Sequence, residues 1–216
     1  MTKCADNYRA VDPADPDPAV IDEACCIISG GGVVAFPAST IYGLAADAYN
    51  PAAMSKVRDM KHRAQANPIL VLVKDRQAIE KLVAETPSAA VRLMDRFWPG
   101  GVTLVFKAGT DLPSHLVSPA GTIGIRVPIH PVARALVECF PRPLTGTSAN
   151  LSGQSPVNEA DHLNETLSMC PDLILDAGKL QGGVGSTVID VTVSPPSILR
   201  QGIVPATLIL DGLVDL

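Results

Sequence analysis

Four cationic side chains stand where apolar runs of the sequence give way to loops: Lys61, Arg63, Arg126 and Arg200. Side chains at such positions can converge on one ligand, because the loops of a domain carry binding groups on a rigid scaffold. Lysine offers a point charge and arginine a bidentate fork, and both suit phosphate and carboxylate oxygens. The sequence therefore predicts an anion site. Nearby hydroxyl and amide groups indicate that the anion belongs to a nucleotide.

Lys61 and Arg63 lie between a predicted helix and a predicted strand, separated by His62. In an extended segment, alternate side chains face the same side, which would place both cations on one side of this loop. The alternative is that they are solvated charges attracted to the negative end of the helix. Asn67, which precedes Pro68, is either a turn residue or a further contact of the nucleotide.

Arg126 lies in an apolar run, residues 123–127, where burial of an unpaired charge is costly. It must therefore face solvent at a sheet edge or pair with an anion. Arg200, which follows Ile198 and Leu199, presents the same two alternatives.

A polar loop contains Ser148 and Asn150, and Gly146 before it permits close approach of the backbone to a ligand. The alternative for this loop is an ordinary turn. Ser186 is either the first residue of a strand or a binding group. No P-loop, Gly-x-Gly-x-x-Gly, His-Glu-x-x-His or Gly-x-Ser-x-Gly motif is present, so phosphates must be held by dispersed side chains and by loop amides.

Composition excludes several classes of protein. A net charge of -5 disfavours a protein that mainly grips nucleic acid. The N-terminus has no apolar signal segment, and Gly30, Pro37 and Gly43 interrupt the one long uncharged stretch, so we expect a soluble, cytoplasmic protein without a membrane span. The five cysteines have no metal-ligand spacing and are expected to be free thiols, and no metal ligands are predicted.

Helical and strand patterns alternate along the chain, which favours an α/β fold on a mixed sheet. Residues 1–17 are predicted to be a polar lead-in and residues 18–216 a single domain. Asp17 caps a first helix that begins at Pro18. The other helices are predicted at 50–60, 77–84, 88–97, 132–140 and 159–169, and the strands at 33–36, 69–73, 102–106, 122–127, 143–147, 173–175, 187–191 and 208–210.

Seven short motifs occur in a fixed order: Tyr42-Gly43-Leu44, Lys61-His62-Arg63 with Asn67-Pro68, Phe97-Trp98-Pro99-Gly100, Ile125-Arg126-Val127-Pro128, Ser148-Ala149-Asn150, Ser186-Thr187-Val188-Ile189-Asp190 and Ile198-Leu199-Arg200. In these motifs the chain resembles the YrdC family of threonylcarbamoyl-AMP synthases, in its short, single-domain form. The resemblance runs from about Ala19 to Arg200. It implies the YrdC-like fold, a twisted open mixed sheet flanked by helices.

The resemblance also implies an enzyme, a nucleotidyltransferase that condenses L-threonine, bicarbonate and ATP to threonylcarbamoyl-AMP and pyrophosphate. Magnesium is expected to arrive with ATP, because bridging phosphate oxygens is its usual mode. The product feeds threonylcarbamoyladenosine modification of tRNA, which a separate transferase completes. Binding of tRNA or double-stranded RNA to this chain is expected to be weak.

Roles for individual residues follow from the resemblance. Lys61 and Arg63 are expected to be catalytic. The predicted ATP contacts are Lys61, Arg63, Asn67, Thr122, Gly146, Ser148, Asn150 and Arg200. The predicted threonine contacts are Thr40, Arg126 and Ser186.

The chain departs from the family pattern on the amino-acid side. Ala38 and Ser39 lack a hydroxyl and a carboxylate of the usual motif, Leu72 replaces a histidine, and Gly185 replaces an acidic residue. Two alternatives follow. One is a paralogue that adenylates another carbamate or carbamoyl phosphate, as hydrogenase-maturation proteins of the superfamily do. The other is a non-catalytic module that binds double-stranded RNA.

Overall fold

The computed structural model describes residues 7–64 and 67–213. Within these residues the α-helices are α1 (Pro18–Ser29), α2 (Pro51–Lys61), α3 (Ser88–Phe97), α4 (Pro131–Cys139), α5 (Leu163–Thr166) and α6 (Ala206–Asp211). The strands are β1 (Tyr8–Ala10), β2 (Val34–Pro37), β3 (Tyr42–Ala45), β4 (Val71–Leu72), β5 (Val102–Lys107), β6 (Thr122–Arg126), β7 (Leu144–Thr145), β8 (Thr147–Ser148), β9 (Leu173–Asp176), β10 (Thr187–Asp190) and β11 (Ser197–Arg200). Short 3-10 helices span Gln77–Lys81, Ser114–Leu116 and Ala160–His162.

The strands form two sheets. One has the order β1-β9-β2-β3-β8 and the other the order β11-β10-β5-β6-β4-β7. Each sheet contains both parallel and antiparallel pairs. The α/β prediction is confirmed, but one mixed sheet was expected. The difference arises at Gly146, which separates β7 from β8 and sends the two halves of the predicted strand 143–147 into different sheets.

Side chains that cap the helices explain where α1 and α2 begin. The Asp17 side chain accepts a hydrogen bond from the Ala19 amide at 2.9 Å. Asn50 does the same for the Ala52 amide at 3.0 Å. A proline follows each cap at the first helical position, where its missing N–H costs nothing. Each cap contributes about 1 kcal/mol to the helix.

Two clusters of buried side chains form the core. The larger one joins both sheets and includes Leu44 from β3, Leu104 from β5 and Ile125 from β6. The smaller one lies where α1 and α4 pack together beside β2, with Ile28 and Leu136 at its centre. Leu104 and Ile125 alternate along their strands with the residues that form the site described below, so the larger cluster packs against the other face of the six-stranded sheet.

Several expected elements differ in the structure. Residues 208–210 lie in α6 rather than in a strand, and the predicted helix 159–169 is reduced to a 3-10 turn and the short α5. Tyr8–Ala10, in the segment predicted to be a lead-in, pairs with β9 as β1, and Val11 is buried. Residues 1–6 of that segment lie outside the described residues. Three-residue and four-residue elements carry too little periodicity for the sequence to reveal them.

The expectation of free thiols holds for three cysteines, Cys25, Cys26 and Cys139. It is wrong for Cys170, which is disulfide-bonded. Pairing depends on the proximity of two Cα atoms, and sequence spacing does not show that proximity. Cys4 lies outside the described residues.

Candidate anion and nucleotide site

A cavity of about 380 Å³ lies on one face of the six-stranded sheet. Successive side chains of a strand point to opposite faces, so alternate residues of three neighbouring strands form its floor. These floor residues are Thr103 and Val105 from β5, Gly124 and Arg126 from β6, and Ser186 and Val188 at β10. Loops that follow β2, precede β4 and precede β10 form its walls.

Arg126 lies at the centre of this floor, and its side chain is held in place by the protein. Its Nε donates a hydrogen bond of 2.6 Å to the Gly100 carbonyl. Arg126 is only 8% exposed and still lines the cavity. Leu72 of β4 lies in register beside it, and β5 pairs with β6 on the other side through Leu104 and Ile125. The guanidinium is thus preoriented for a ligand in the cavity.

Arg63 and Arg200 also line the cavity, and their described hydrogen bonds go to neutral acceptors. Arg63 Nη2 donates to the Pro68 carbonyl at 2.7 Å. Arg200 Nη2 donates to the Ser186 carbonyl at 2.8 Å and more weakly to the Ser186 hydroxyl. Among the described residues, neither arginine takes part in an ion pair, and no aspartate or glutamate lines the cavity.

The electrostatics of these arginines indicate an uncompensated positive charge. Burial, with the charge of Arg200 as a second cause, lowers the pKa of Arg126 to about 10. Burial also lowers the pKa of Arg63, with the charges of Arg58 and Arg200 adding to the effect. The pKa of Arg200 is lowered by burial. A bound anion would relieve this cost, because an opposite charge favours the protonated form.

Lys61 and Arg63 do not share a side, so the expectation from an extended segment is wrong. Lys61 is the last residue of α2, and His62 ends the helix in the left-handed conformation with φ of 48°. The chain therefore reverses between the two cations. Arg63 faces the cavity, whereas the Lys61 side chain is 1% exposed and lies beneath the loop at 148–152.

The remaining predicted residues divide into two groups. Those that line the cavity are Thr40, Thr122, Gly146, Ser148 and Ser186. Asn67 and Asn150 do not line it. Asn67 accepts a long hydrogen bond of 3.4 Å from Arg63 Nε through its carbonyl, and Asn150 is buried with its amide bonded to loop carbonyls.

Several hydroxyl groups of the cavity are hydrogen-bonded to the protein. The Thr103 and Ser186 hydroxyls lie 2.7 Å apart, as do those of Ser118 and Thr122. Thr40 donates to the Val184 carbonyl at 3.2 Å. Each hydroxyl keeps a free acceptor lone pair or can rotate toward a ligand, so the cavity combines fixed cations with adaptable polar groups.

Sequence reasoning missed most of the floor, including Thr103, Val105 and Gly124. Alternation along β5 and β6 was the available signal, because Gly124 and Thr122 share a face with Arg126. It could have placed Thr122, Gly124 and Arg126 together. It could not have shown that β5 and β10 lie next to β6, since sheet order is a long-range property.

Gly146 supports the apolar wall of the cavity. A Cβ at this position would lie 2.6 Å from Leu70 Cδ1 and 2.7 Å from Leu72 Cγ. We therefore expect Gly146→Ala to lower the free energy of unfolding by about 1–3 kcal/mol through overpacking. Gly124→Ala is the matched control, because its Cβ would lie at 3.4 Å from Leu70 Cβ, an ordinary contact. Urea denaturation of both variants measures the effect, and equal stability of the two would contradict this packing argument.

Within residues 7–64 and 67–213, no cluster of three histidine, cysteine or acidic residues has a geometry suited to a metal ion. None of the helices there has both the length and the apolar character needed to cross a membrane.

Comparison with known proteins identifies the family to which the chain is similar. The Sua5/YciO/YrdC family model, described as "Telomere recombination", matches residues 26–202. Threonylcarbamoyl-AMP synthase of Pyrococcus abyssi is 37% identical over 84% of this chain and 54% of its own length. The Bacillus subtilis protein of the same name is 39% identical over 84% of this chain and 53% of its own length.

The similarity extends to a solved structure, P. abyssi Sua5 complexed with L-threonine. It superposes with a TM-score of 0.90 and 34% identity, over 95% of this chain and 60% of that one. The chain therefore spans about half the length of these two synthases. The matched residues include every cavity-lining arginine described above. The family model covers most of the chain, and so this protein belongs to the Sua5/YciO/YrdC family.

Proposed function

We propose that this chain is a threonylcarbamoyl-AMP synthase, which forms threonylcarbamoyl-AMP and pyrophosphate from L-threonine, bicarbonate and ATP. The observation that carries the proposal is the convergence of Arg63, Arg126 and Arg200 on one cavity whose described lining has no acidic side chain. Such a site suits a ligand set with several negative charges. ATP and an amino-acid carboxylate together form such a set, and the relatives with this name support the choice.

The proposed roles divide the cavity in two. Arg126 binds the threonine carboxylate, and Thr40 and Ser186 contact the amino acid. Arg63 and Arg200 bind the phosphates of ATP. The other nucleotide contacts are proposed to be Thr122, Gly146 and Ser148. We propose an indirect role for Asn67, whose carbonyl accepts a hydrogen bond from Arg63, and for Asn150, whose side-chain amide holds the backbone of its loop.

The chemistry needs positioning and charge stabilisation more than acid–base catalysis. The amine of threonine attacks the carbon of bicarbonate, water leaves, and the resulting carbamate is already an anion. Its oxygen attacks the α-phosphorus of ATP, and the bond from that phosphorus to the pyrophosphate oxygen breaks. Arg63 and Arg200 would stabilise the charge that develops on the phosphates, and Arg126 would orient the nucleophile. The described lining residues supply hydroxyl and guanidinium groups that suit these roles.

The donor set also fits magnesium carried by the substrate. The described lining residues offer hydroxyl oxygens but no carboxylate, so the ion would be held by phosphate oxygens and water. When bound with ATP it would supply further charge neutralisation. We further propose a cytoplasmic protein whose product is passed to a separate tRNA transferase, with only weak binding of tRNA or double-stranded RNA by this chain.

One observation favours a second candidate, adenylation of another carbamate or of carbamoyl phosphate. Leu72 lies in register beside Arg126, and it belongs to an apolar cluster with Phe36, Leu70 and Ala38 that forms a wall of the cavity. These apolar groups cannot hydrogen-bond a substrate hydroxyl. The net charge of -5 does not favour the RNA-binding alternative, because a protein that binds nucleic acid usually has a basic surface.

Leu72 offers a direct probe of amino-acid selectivity. Leu72→His is expected to lower the KM for threonine by up to about tenfold, because one added hydrogen bond contributes about 0.5–1.5 kcal/mol. Leu72→Met is the control, since it retains an apolar side chain of similar volume. Steady-state kinetics with threonine measure both. A KM for threonine that is unchanged in a folded Leu72→His variant would remove this wall from the threonine subsite.

The proposed function is tested by pyrophosphate release with ATP, magnesium and bicarbonate across a panel of amino acids, with carbamoyl phosphate as a rival substrate. We expect release that depends on both threonine and bicarbonate. Release with carbamoyl phosphate and none with threonine would overturn the assignment in favour of the second candidate. Tight tRNA binding without turnover of any substrate would favour the RNA-binding alternative.

A further inference from the structure

Lys61 occupies a place that a phosphate-binding lysine would not occupy. Its ammonium donates hydrogen bonds to the carbonyls of Ser148 and Asn150, the latter at 2.6 Å. Its own carbonyl accepts a hydrogen bond of 2.8 Å from the Ser152 amide. The end of α2 is thereby tied to the 148–152 loop by three hydrogen bonds. The side chain is 1% exposed and is absent from the cavity lining.

The ammonium carries its charge there without a described carboxylate partner. Burial, with a smaller contribution from the charge of Arg63, lowers the pKa of Lys61 to about 8. A buried cation is costly unless hydrogen bonds compensate it. Two carbonyl oxygens supply that compensation here. Without the lysine, the Asn150 carbonyl would be left buried without a described donor, at the cost of an unmade hydrogen bond. The Ser148 carbonyl would keep only the hydrogen bond of 3.1 Å from the Asn150 amide.

The loop that Lys61 holds carries Ser148 into the cavity. Ser148 pairs with Gly43 of β3 on one side and lines the cavity on the other. Asn150 stabilises the same loop, because its side-chain amide nitrogen donates hydrogen bonds to the Leu151 and Gln154 carbonyls at 2.7 and 2.8 Å. The position of the Ser148 hydroxyl therefore depends on buried polar groups outside the cavity.

We propose that Lys61 is a positioning residue, whose ammonium orders the 148–152 loop and places Ser148 against the nucleotide, while Arg63 and Arg200 make the phosphate contacts. This inference rests on the proposed function for the identity of the nucleotide. It assigns the two cations of Lys61-His62-Arg63 to different tasks, because the left-handed His62 directs one inward and the other to the cavity.

Amine labelling of the unmodified protein tests the burial. We expect Lys61 to resist acylation by a small water-soluble amine reagent at pH 7, both with and without ATP and magnesium. Lys179, whose side chain is 72% exposed, is the internal control and should react in both conditions. Rapid labelling of Lys61 in the free protein, followed by protection with ATP, would identify it as a phosphate contact and overturn the proposal. This measurement needs no turnover, so its outcome is separate from that of the proposed reaction.

A double-mutant cycle tests the link to Ser148. Lys61→Met and Ser148→Ala should each lower kcat/KM for ATP, and the double variant should lose little more than Lys61→Met alone, because coupled residues are not additive. Amide exchange in residues 148–154 should accelerate in Lys61→Met. Multiplicative losses in the cycle, with unchanged exchange in the loop, would contradict the positioning role. If Lys61→Met does not fold, the labelling experiment decides the question.

Discussion

Replacing Arg126 with alanine is expected to lower kcat/KM for threonine by roughly ten- to 150-fold, the equivalent of about 1.5–3 kcal/mol for a hydrogen bond to a charged group. The physical reason is that the Gly100 carbonyl holds Arg126 in place at the floor of the cavity. No acidic side chain among the described lining residues neutralises its charge, so the guanidinium can bind the carboxylate of the substrate. Kinetics at saturating ATP measure the loss.

Arg126→Lys is the matched control for this prediction. It keeps the positive charge but loses the planar fork that binds a carboxylate in two places, so we expect an intermediate loss. The affinity for ATP, measured by calorimetry, should change much less than the KM for threonine. An Arg126→Ala variant that is folded and retains its threonine KM would place the amino acid elsewhere in the cavity.

The second large effect concerns the phosphates. Arg63→Ala and Arg200→Ala should each weaken ATP binding by about 1.5–3 kcal/mol, because each removes a charge-assisted contact. Isothermal titration with ATP and magnesium measures this. Arg76→Ala is the control, since Arg76 is exposed and paired with Asp95 away from the cavity.

Adenosine separates the phosphate contacts from a general loss of the site. It lacks phosphates, so its affinity should be nearly unchanged in Arg63→Ala and Arg200→Ala. Equal losses for adenosine and ATP would indicate that the substitutions disturb the fold of the cavity. ATP affinity that is unchanged in both folded variants would remove these arginines from the nucleotide site.

The elements with strong local signals were predictable from the sequence. Helix α1 follows from Asp17, Pro18 and the apolar spacing after them, and α3 was predicted with its observed bounds, Ser88–Phe97. The strands β5 and β6 follow from apolar runs of adequate length. In each case the residues that determine the element lie within it or at its boundary.

The separate roles of the site residues were harder to predict from the sequence. Sequence order indicated that Arg63, Arg126 and Arg200 would act together, and the cavity brings them together. The burial of Lys61 depends on a single left-handed residue, His62, which nothing in the local pattern required. Thr103 and Arg126 line the same cavity because β5 lies next to β6, and this strand order arises from contacts between distant parts of the chain.

In the proposed reaction, one arginine-lined cavity joins the carbamate of threonine to the α-phosphate of ATP. The most direct measurement of this step is mass spectrometry of the product formed from isotopically labelled bicarbonate, threonine and ATP with magnesium. We expect threonylcarbamoyl-AMP that carries the label, in amounts that fall sharply in Arg126→Ala and in Arg200→Ala. An adenylate that lacks threonine, or a labelled product whose yield is the same in both variants, would contradict the proposed reaction.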